Sequence, residues 1–165
     1  MTDSSQRVIG VDPGIHHTGY GIIEQVGGKI RYLESGTITT NPRSFFPARL
    51  QKIYNELGRI VEIWRPTEMA IEETIYAQNV QTALKLGQAR GVVVLAGANS
   101  GLSIAEYSPK KVKLSVVGNG AASKEQVKYM ITRLLGLAVT PASLDESDGL
   151  AIAICHFNQN PMIRG

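Results

Sequence analysis

The sequence predicts an α/β fold, a mixed five-stranded sheet with helices on both faces. Three observations predict it. The chain opens with three β-rich runs, the second and third joined at Gly27-Gly28, a two-residue hairpin signal. Further along, strand-length runs alternate with long amphipathic segments, and crossovers of that length join parallel strands. The 165 residues contain no internal repeat, low-complexity run or linker, which suits one domain.

Each element has a local reason. Residues 7–11 form a short apolar run that ends at Asp12-Pro13-Gly14, a buried strand entering a turn. Residues 18–26 and 30–40 are the two arms of the hairpin. Phe46, Leu50, Ile53, Tyr54, Leu57, Ile60, Val61 and Trp64 follow the helical period, and Pro66 stops that helix. Residues 69–72 are a short strand with Ile71 at its centre. Residues 79–99 form a helix rich in Ala and Gly, where Gly87 and Gly91 leave room for another backbone, within the fold or across a dimer. Residues 102–107 are the fifth strand. Ser108-Pro109 reads as an N-cap with proline at the first helical position, opening a helix to about Val117. Ser123-Lys124-Glu125-Gln126 is a capping box, and Gly136 ends the helix it opens. Residues 145–156 are the last helix. The expected plan is a disordered lead-in over 1–6, one domain over 7–158 and a short tail over 159–165.

Composition narrows the function classes. Apolar residues at 43% and a net charge of +3 exclude global disorder. A single cysteine, Cys155, excludes a disulfide scaffold and suggests a reducing, cytoplasmic home. The apolar run at 91–97 is far short of the roughly 20 residues of a membrane-spanning helix, so no membrane partner is expected. Charge is uneven: residues 107–133 hold six basic residues and one acid, a net of +5. Such a stretch suits a polyanion. Lys110, Lys111, Lys113, Lys124 and Lys128 cluster there, and contacts from lysines to phosphates give affinity without sequence readout.

The chemistry points to carboxylates. Asp12 closes the first strand, and Glu72 closes the fourth with Glu73 beside it. Asp145 and Asp148 lie three apart on the last helix and face the same way. These acids adjoin apolar runs, where an unpaired charge is costly, and no Lys or Arg stands next to them in sequence. A divalent cation would answer that cost, and oxygen-only ligands point to Mg²⁺ or Mn²⁺. Two such ions about 4 Å apart can hold one phosphodiester between them. Singly, each acid has an ordinary explanation: Asp12 suits a turn, Asp145 a helix start, Glu73 the solvent. Their joint placement is far more specific. His16, His17 and His156 complete no zinc site with Cys155. His16 and His17 read as a surface loop near the first acid. No phosphate-binding Gly-Lys-Ser/Thr loop and no nucleophilic serine elbow is present.

Ile9-Gly-Val-Asp-Pro-Gly14, Thr18-Gly-Tyr-Gly21, Ala70-Ile-Glu-Glu73, Ala83-Leu-Lys-Leu-Gly-Gln-Ala-Arg-Gly91, Val116-Val-Gly118 and Asp145-Glu-Ser-Asp-Gly-Leu-Ala-Ile-Ala153 closely resemble the RuvC family of Holliday junction resolvases. The likeness runs from about Arg7 to His156. It implies a ribonuclease H-like fold and a homodimer that makes paired symmetric nicks across four-way junction DNA, in recombination and repair, leaving ligatable ends. It carries the catalytic, metal-holding acids onto Asp12, Glu72, Asp145 and Asp148, with two Mg²⁺ per subunit and Mn²⁺ as substitute. It carries DNA-backbone and active-site roles onto Lys113 and Lys124. It implies a branch-migration motor complex of the RuvA and RuvB type as partner. One departure stands out. Family members often have an aromatic wedge three residues after the strand-four glutamate. Here that position is Ile75, followed by Tyr76, and an apolar side chain can separate bases without being aromatic.

Other readings stay open at this stage. A related nuclease acting on RNA–DNA hybrid or other DNA would use the same acids. A non-catalytic junction-binding protein would share the lysines. Asp12-Pro13-Gly14 with Thr18-Gly19 also resembles the phosphate loop of sugar kinases, although that architecture needs two lobes.

Overall fold

The computed structural model describes residues 5–73 and 78–160. The elements run β1 (Gln6–Asp12), β2 (His17–Val26), β3 (Lys29–Thr39), α1 (Phe46–Trp64), β4 (Glu68–Glu72), α2 (Val80–Asn99), β5 (Ser103–Tyr107), α3 (Pro109–Val117), α4 (Lys124–Leu134) and α5 (Leu144–Gln159). The five strands form one sheet in the order β3-β2-β1-β4-β5. β1–β2 and β2–β3 pair antiparallel, and β1–β4 and β4–β5 pair parallel. The ordered elements reach one residue beyond the expected domain at each end. Gln6 joins the ladder opposite Gln25, and α5 continues to Gln159. No helix among the described residues is long and apolar enough to cross a membrane.

Alternation along the strands divides the core into two layers. Ile9, Val11, Ile22, Met69 and Ile71 face α1 and α2. Val8, Ile23 and Ala70 face α3, α4 and α5. The helix α5 carries the acids of the last segment, and it lies directly on β1 and β2. A Cβ at Gly10 would stand 2.1 Å from the Gly149 carbonyl oxygen, and one at Gly19 would stand 2.0 Å from that of Asp145. A Cβ at Gly149 would in turn meet the Tyr20 backbone at 2.5 Å. Glycines on both sides thus let helix and strand backbones touch, which draws Asp145 and Asp148 down to the strand ends.

The other end of α5 is tied by polar groups. His156 Nε2 lies 2.5 Å from Glu68 Oε2, and its Nδ1 lies 2.8 Å from the Tyr107 hydroxyl. Those contacts join the first residue of β4 and the last of β5 to the helix. Both nitrogens of this buried imidazole are therefore occupied.

Candidate active site

Parallel pairing places the first two acids side by side. Val11 pairs with Ile71, so the next step of the ladder sets Asp12 beside Glu72, both at carboxyl ends of central strands. Adjacent strands lie about 4.8 Å apart. Asp12 shares a face with Val8 and Gly10, and Glu72 shares one with Ala70, so both carboxyls face α5. Pro13 cannot extend the ladder and ends β1 at Asp12. Asp145 and Asp148 sit on the first turns of α5, which Ser143 caps by accepting from the Glu146 N–H. One carboxylate oxygen from each of Asp12, Asp145 and Asp148 falls within a single 4.8 Å cluster. Glu72, beside Asp12 in the ladder, is near enough for its charge to act on the Asp12 carboxyl.

The electrostatics show how poorly these acids tolerate one another. Burial raises the Asp12 carboxyl from the usual carboxylate range to about 8, helped by the charges of Glu72 and Asp148. Burial also raises Glu72, with Asp148 adding to the shift. Asp148 is raised by burial too, against the pull of Lys124. Lys124 supplies the nearest cation: its Nζ lies 3.1 Å from Asp148 Oδ2. Burial weakens the Lys124 ammonium, yet Asp148, Asp12 and Glu72 together outweigh that effect and its proton is held more tightly than usual.

Sequence adjacency thus misled on one point. The acids have a cation, brought from α4 across 24 positions of chain. Four acids still outnumber the lysines beside them.

The donor set fits a hard divalent ion. All the candidate ligands are carboxylate oxygens, they converge, and their mutual repulsion is what a cation would relieve. Beside them is a cleft of about 120 Å³ lined by Glu72, Lys113, Lys124 and Asp148. Lys113 is near enough to pull Glu72 back toward its ionised form. The structure therefore gathers Asp12, Glu72, Asp145, Asp148, Lys113 and Lys124 in one place. It sets Lys110 and Lys111 outside the cleft, exposed on α3, with the Lys111 ammonium over the Tyr107 ring. Ile75 and Tyr76 lie outside the described residues.

One neighbouring side chain had a signal in the sequence that went unread. Arg49 falls on the apolar face of α1, among Phe46, Leu50 and Ile53, and it is buried. It donates to the Ile15 carbonyl, on the loop that follows Asp12, and to Thr40, just after β3. A charge on a buried helical face asks for a local explanation.

Acids at the carboxyl ends of two adjacent central strands, faced by more acids from a crossing helix, define a ribonuclease H-like nuclease site. The family model for crossover junction endodeoxyribonuclease RuvC matches residues 8–156. A protein of that name from Geobacter sulfurreducens is 48% identical over 94% of this chain and 94% of its own. One from Acinetobacter baumannii is 50% identical over 90% of this chain and 81% of its own. The solved structure of Thermus thermophilus RuvC in complex with Holliday junction substrate superposes with a TM-score of 0.88 at 33% identity, covering 94% of each chain. The chain belongs to the RuvC family and is a crossover junction endodeoxyribonuclease.

Proposed function

We propose that this chain resolves Holliday junctions in the cytoplasm by paired symmetric nicks, with Asp12, Glu72, Asp145 and Asp148 as its metal ligands. The observation that carries the reading is the convergence of Asp12, Asp145 and Asp148 within 4.8 Å beside a cleft walled by lysines. Two Mg²⁺ ions per subunit, replaceable by Mn²⁺, would supply a polarised water and charge stabilisation at the leaving 3′-oxygen.

The chain's own residues do the rest. Lys113 and Lys124 bind the phosphate to be cut, and Asp148 holds the Lys124 ammonium on the cleft wall. Val112, Val127 and Ala151 form the dry side of the cleft, so a phosphate entering it sheds water on one flank. Charges in such a site interact more strongly than in bulk solvent. Lys110 and Lys111, exposed on α3, extend the basic surface along the DNA backbone. Ile75 and Tyr76, three and four positions after Glu72, are placed by sequence to press against junction bases.

A homodimer supplies the second nick. Val80, Leu84, Gly87, Gly91 and Leu95 repeat at helical spacing along α2. Val80, Leu84 and Leu95 are exposed, and none of the described residues lies within 4 Å of a Cβ at Gly87 or Gly91. That open apolar stripe suits the same helix of a second copy around a two-fold axis. Junctions presented by a branch-migration motor of the RuvA and RuvB type would be the substrate in the cell.

The test is a cleavage assay on a synthetic four-way junction, a linear duplex of matching sequence and an RNA–DNA hybrid. Nicks on opposite strands of the junction alone are expected. Equal cutting of the duplex or hybrid would overturn the substrate while leaving the acids in place.

A further inference from the structure

The lysine-lined cleft lies on the α3 and α4 side of the acids. A second basic segment approaches from the β3 and α1 side. Residues 35–55 contain Arg43, Arg49 and Lys52 and no Asp or Glu. They form the end of β3, the loop after it and the start of α1. The topology brings that loop to the site. Thr39 pairs with His17, and the Thr40 N–H donates to the His16 carbonyl at 3.0 Å, so the loop continues from the turn that follows Asp12.

The centre of this surface is Arg49. It is only 7% exposed, and no carboxylate is within ion-pair distance of it among the described residues. Its guanidinium spends its donors on neutral acceptors. Nε donates to the Thr40 hydroxyl at 3.0 Å, and Nη2 donates to the Ile15 carbonyl at 3.1 Å and to His16 Nδ1 at 2.9 Å. Arginine keeps all its protons, so Nδ1 of His16 must accept. The imidazole proton of the neutral ring is then on Nε2, the nitrogen away from Arg49, on an exposed side chain.

The neighbouring loop, joined to His16 through Thr40 and Arg49, carries groups suited to a nucleic-acid strand. Arg43 is exposed on it. Phe45, the N-cap residue of α1, is 78% exposed and contributes no side-chain cap, and with Pro47 lacking an N–H the first turn leaves the Phe46 and Ala48 amides for another acceptor. A buried cation without an acid and an outward donor nitrogen thus adjoin the loop, between Thr40 and α1, that carries an exposed cation and a bare aromatic ring.

We propose that His16, Arg43 and Phe45 form a second DNA-backbone site, opposite the lysine cleft, with Arg49 as the positioning residue that turns the His16 Nε2–H outward. His16 donates to a phosphate oxygen, Arg43 neutralises a phosphate, and Phe45 packs on the adjoining sugar or base. The junction is then gripped from both sides of the acids. This rests on the nuclease reading above, and the experiment separates the two.

Junction binding is measured against salt for wild type, His16→Ala with Arg43→Ala, Phe45→Ala, and Lys113→Ala. The double variant is expected to bind roughly tenfold more weakly, and its log–log salt slope should fall by about 0.9 for the one phosphate that Arg43 neutralises. Phe45→Ala should weaken binding about fivefold or more with the wild-type slope retained, as loss of a stacked base would. Lys113→Ala weakens binding if the nuclease reading holds. Weakening by Lys113→Ala with no change in the other variants overturns the second site and leaves the first. Unaltered binding in all of them overturns both. The ¹⁵N imidazole spectrum of His16 reads the positioning role directly: the proton on Nε2 in wild type, and a mixture of tautomers in Arg49→Gln. A wild-type ring protonated on Nδ1 would overturn the role given to Arg49.

Discussion

Lys124 Nζ stands 3.1 Å from Asp148 Oδ2, a lysine–carboxylate pair at a cluster that also holds Asp12, Glu72 and Asp145. The capping box at Ser123 fixes the start of α4 and so aims the first helical side chain at the acids. Replacing Lys124 by Met keeps the stem and removes the charge. Cleavage should fall about a hundredfold, the scale for loss of one preorganised charge donor. Junction binding should weaken far less, because Lys113 remains at the cleft. Single-turnover cleavage and equilibrium binding, measured together, check this split.

The acid cluster makes the metal-free protein sensitive to pH. The folded carboxyls of Asp12, Glu72 and Asp148 are raised above their unfolded values, Asp12 to about 8. Folding therefore favours proton uptake. Their contribution to stability is fully present below the unfolded carboxylate range and is lost as pH rises through the folded values. In chelator, the melting temperature should fall between about pH 4 and pH 8. Asp12→Asn should flatten that fall. Added Mg²⁺ should raise the melting temperature more at pH 8 than at pH 5, since it competes with protons for the same oxygens.

Contact between α5 and the sheet depends on glycine. A methyl group at Gly149 would collide with the Tyr20 backbone at 2.5 Å, and neither partner is a flexible side-chain end. Gly149→Ala should cost about 1–3 kcal/mol by overpacking. Because it lifts the helix that carries Asp145 and Asp148, it should also abolish cleavage in whatever fraction stays folded. Chemical denaturation with activity on the soluble protein tests both halves.

The exposed stripe of α2 gives a contrasting pair of changes. Leu84 and Leu95 are 64% and 51% exposed. Leu84→Glu with Leu95→Glu should leave monomer stability within about 0.5 kcal/mol, as substitutions at exposed sites do. The same variant should sediment as a monomer and nick one strand of a junction without the paired second cut. A variant that remains dimeric would place the interface elsewhere.

Much of this architecture is written in local pattern. The bounds of α1 match its apolar period because Pro47 suits a first helical turn and Pro66 ends the run. The Asp12–Glu72 pairing follows once a crossover helix makes β1 and β4 parallel. Tertiary contacts were less legible. Glu68 begins β4 one residue before the apolar run, as it binds Gln6 and His156, partners 62 and 88 positions away. Lys124 reaches Asp148 only after α4 and α5 pack together. Arg49 was visible as a charge on an apolar helical face, but its acceptors, a carbonyl, a hydroxyl and a ring nitrogen, belong to two loops outside the helix. The glycines of β1, β2 and α5 read as permissive residues until the helix lies on the sheet.

The most direct test of the central claim, that these carboxylates cut junction DNA, is cleavage of a four-way junction with Mg²⁺, with chelator, and by Asp12→Asn. Paired nicks that need the metal, carry 5′-phosphate and 3′-hydroxyl ends and vanish in the variant, with binding retained, are the expected result. Cutting that persists in chelator or in Asp12→Asn would contradict the account.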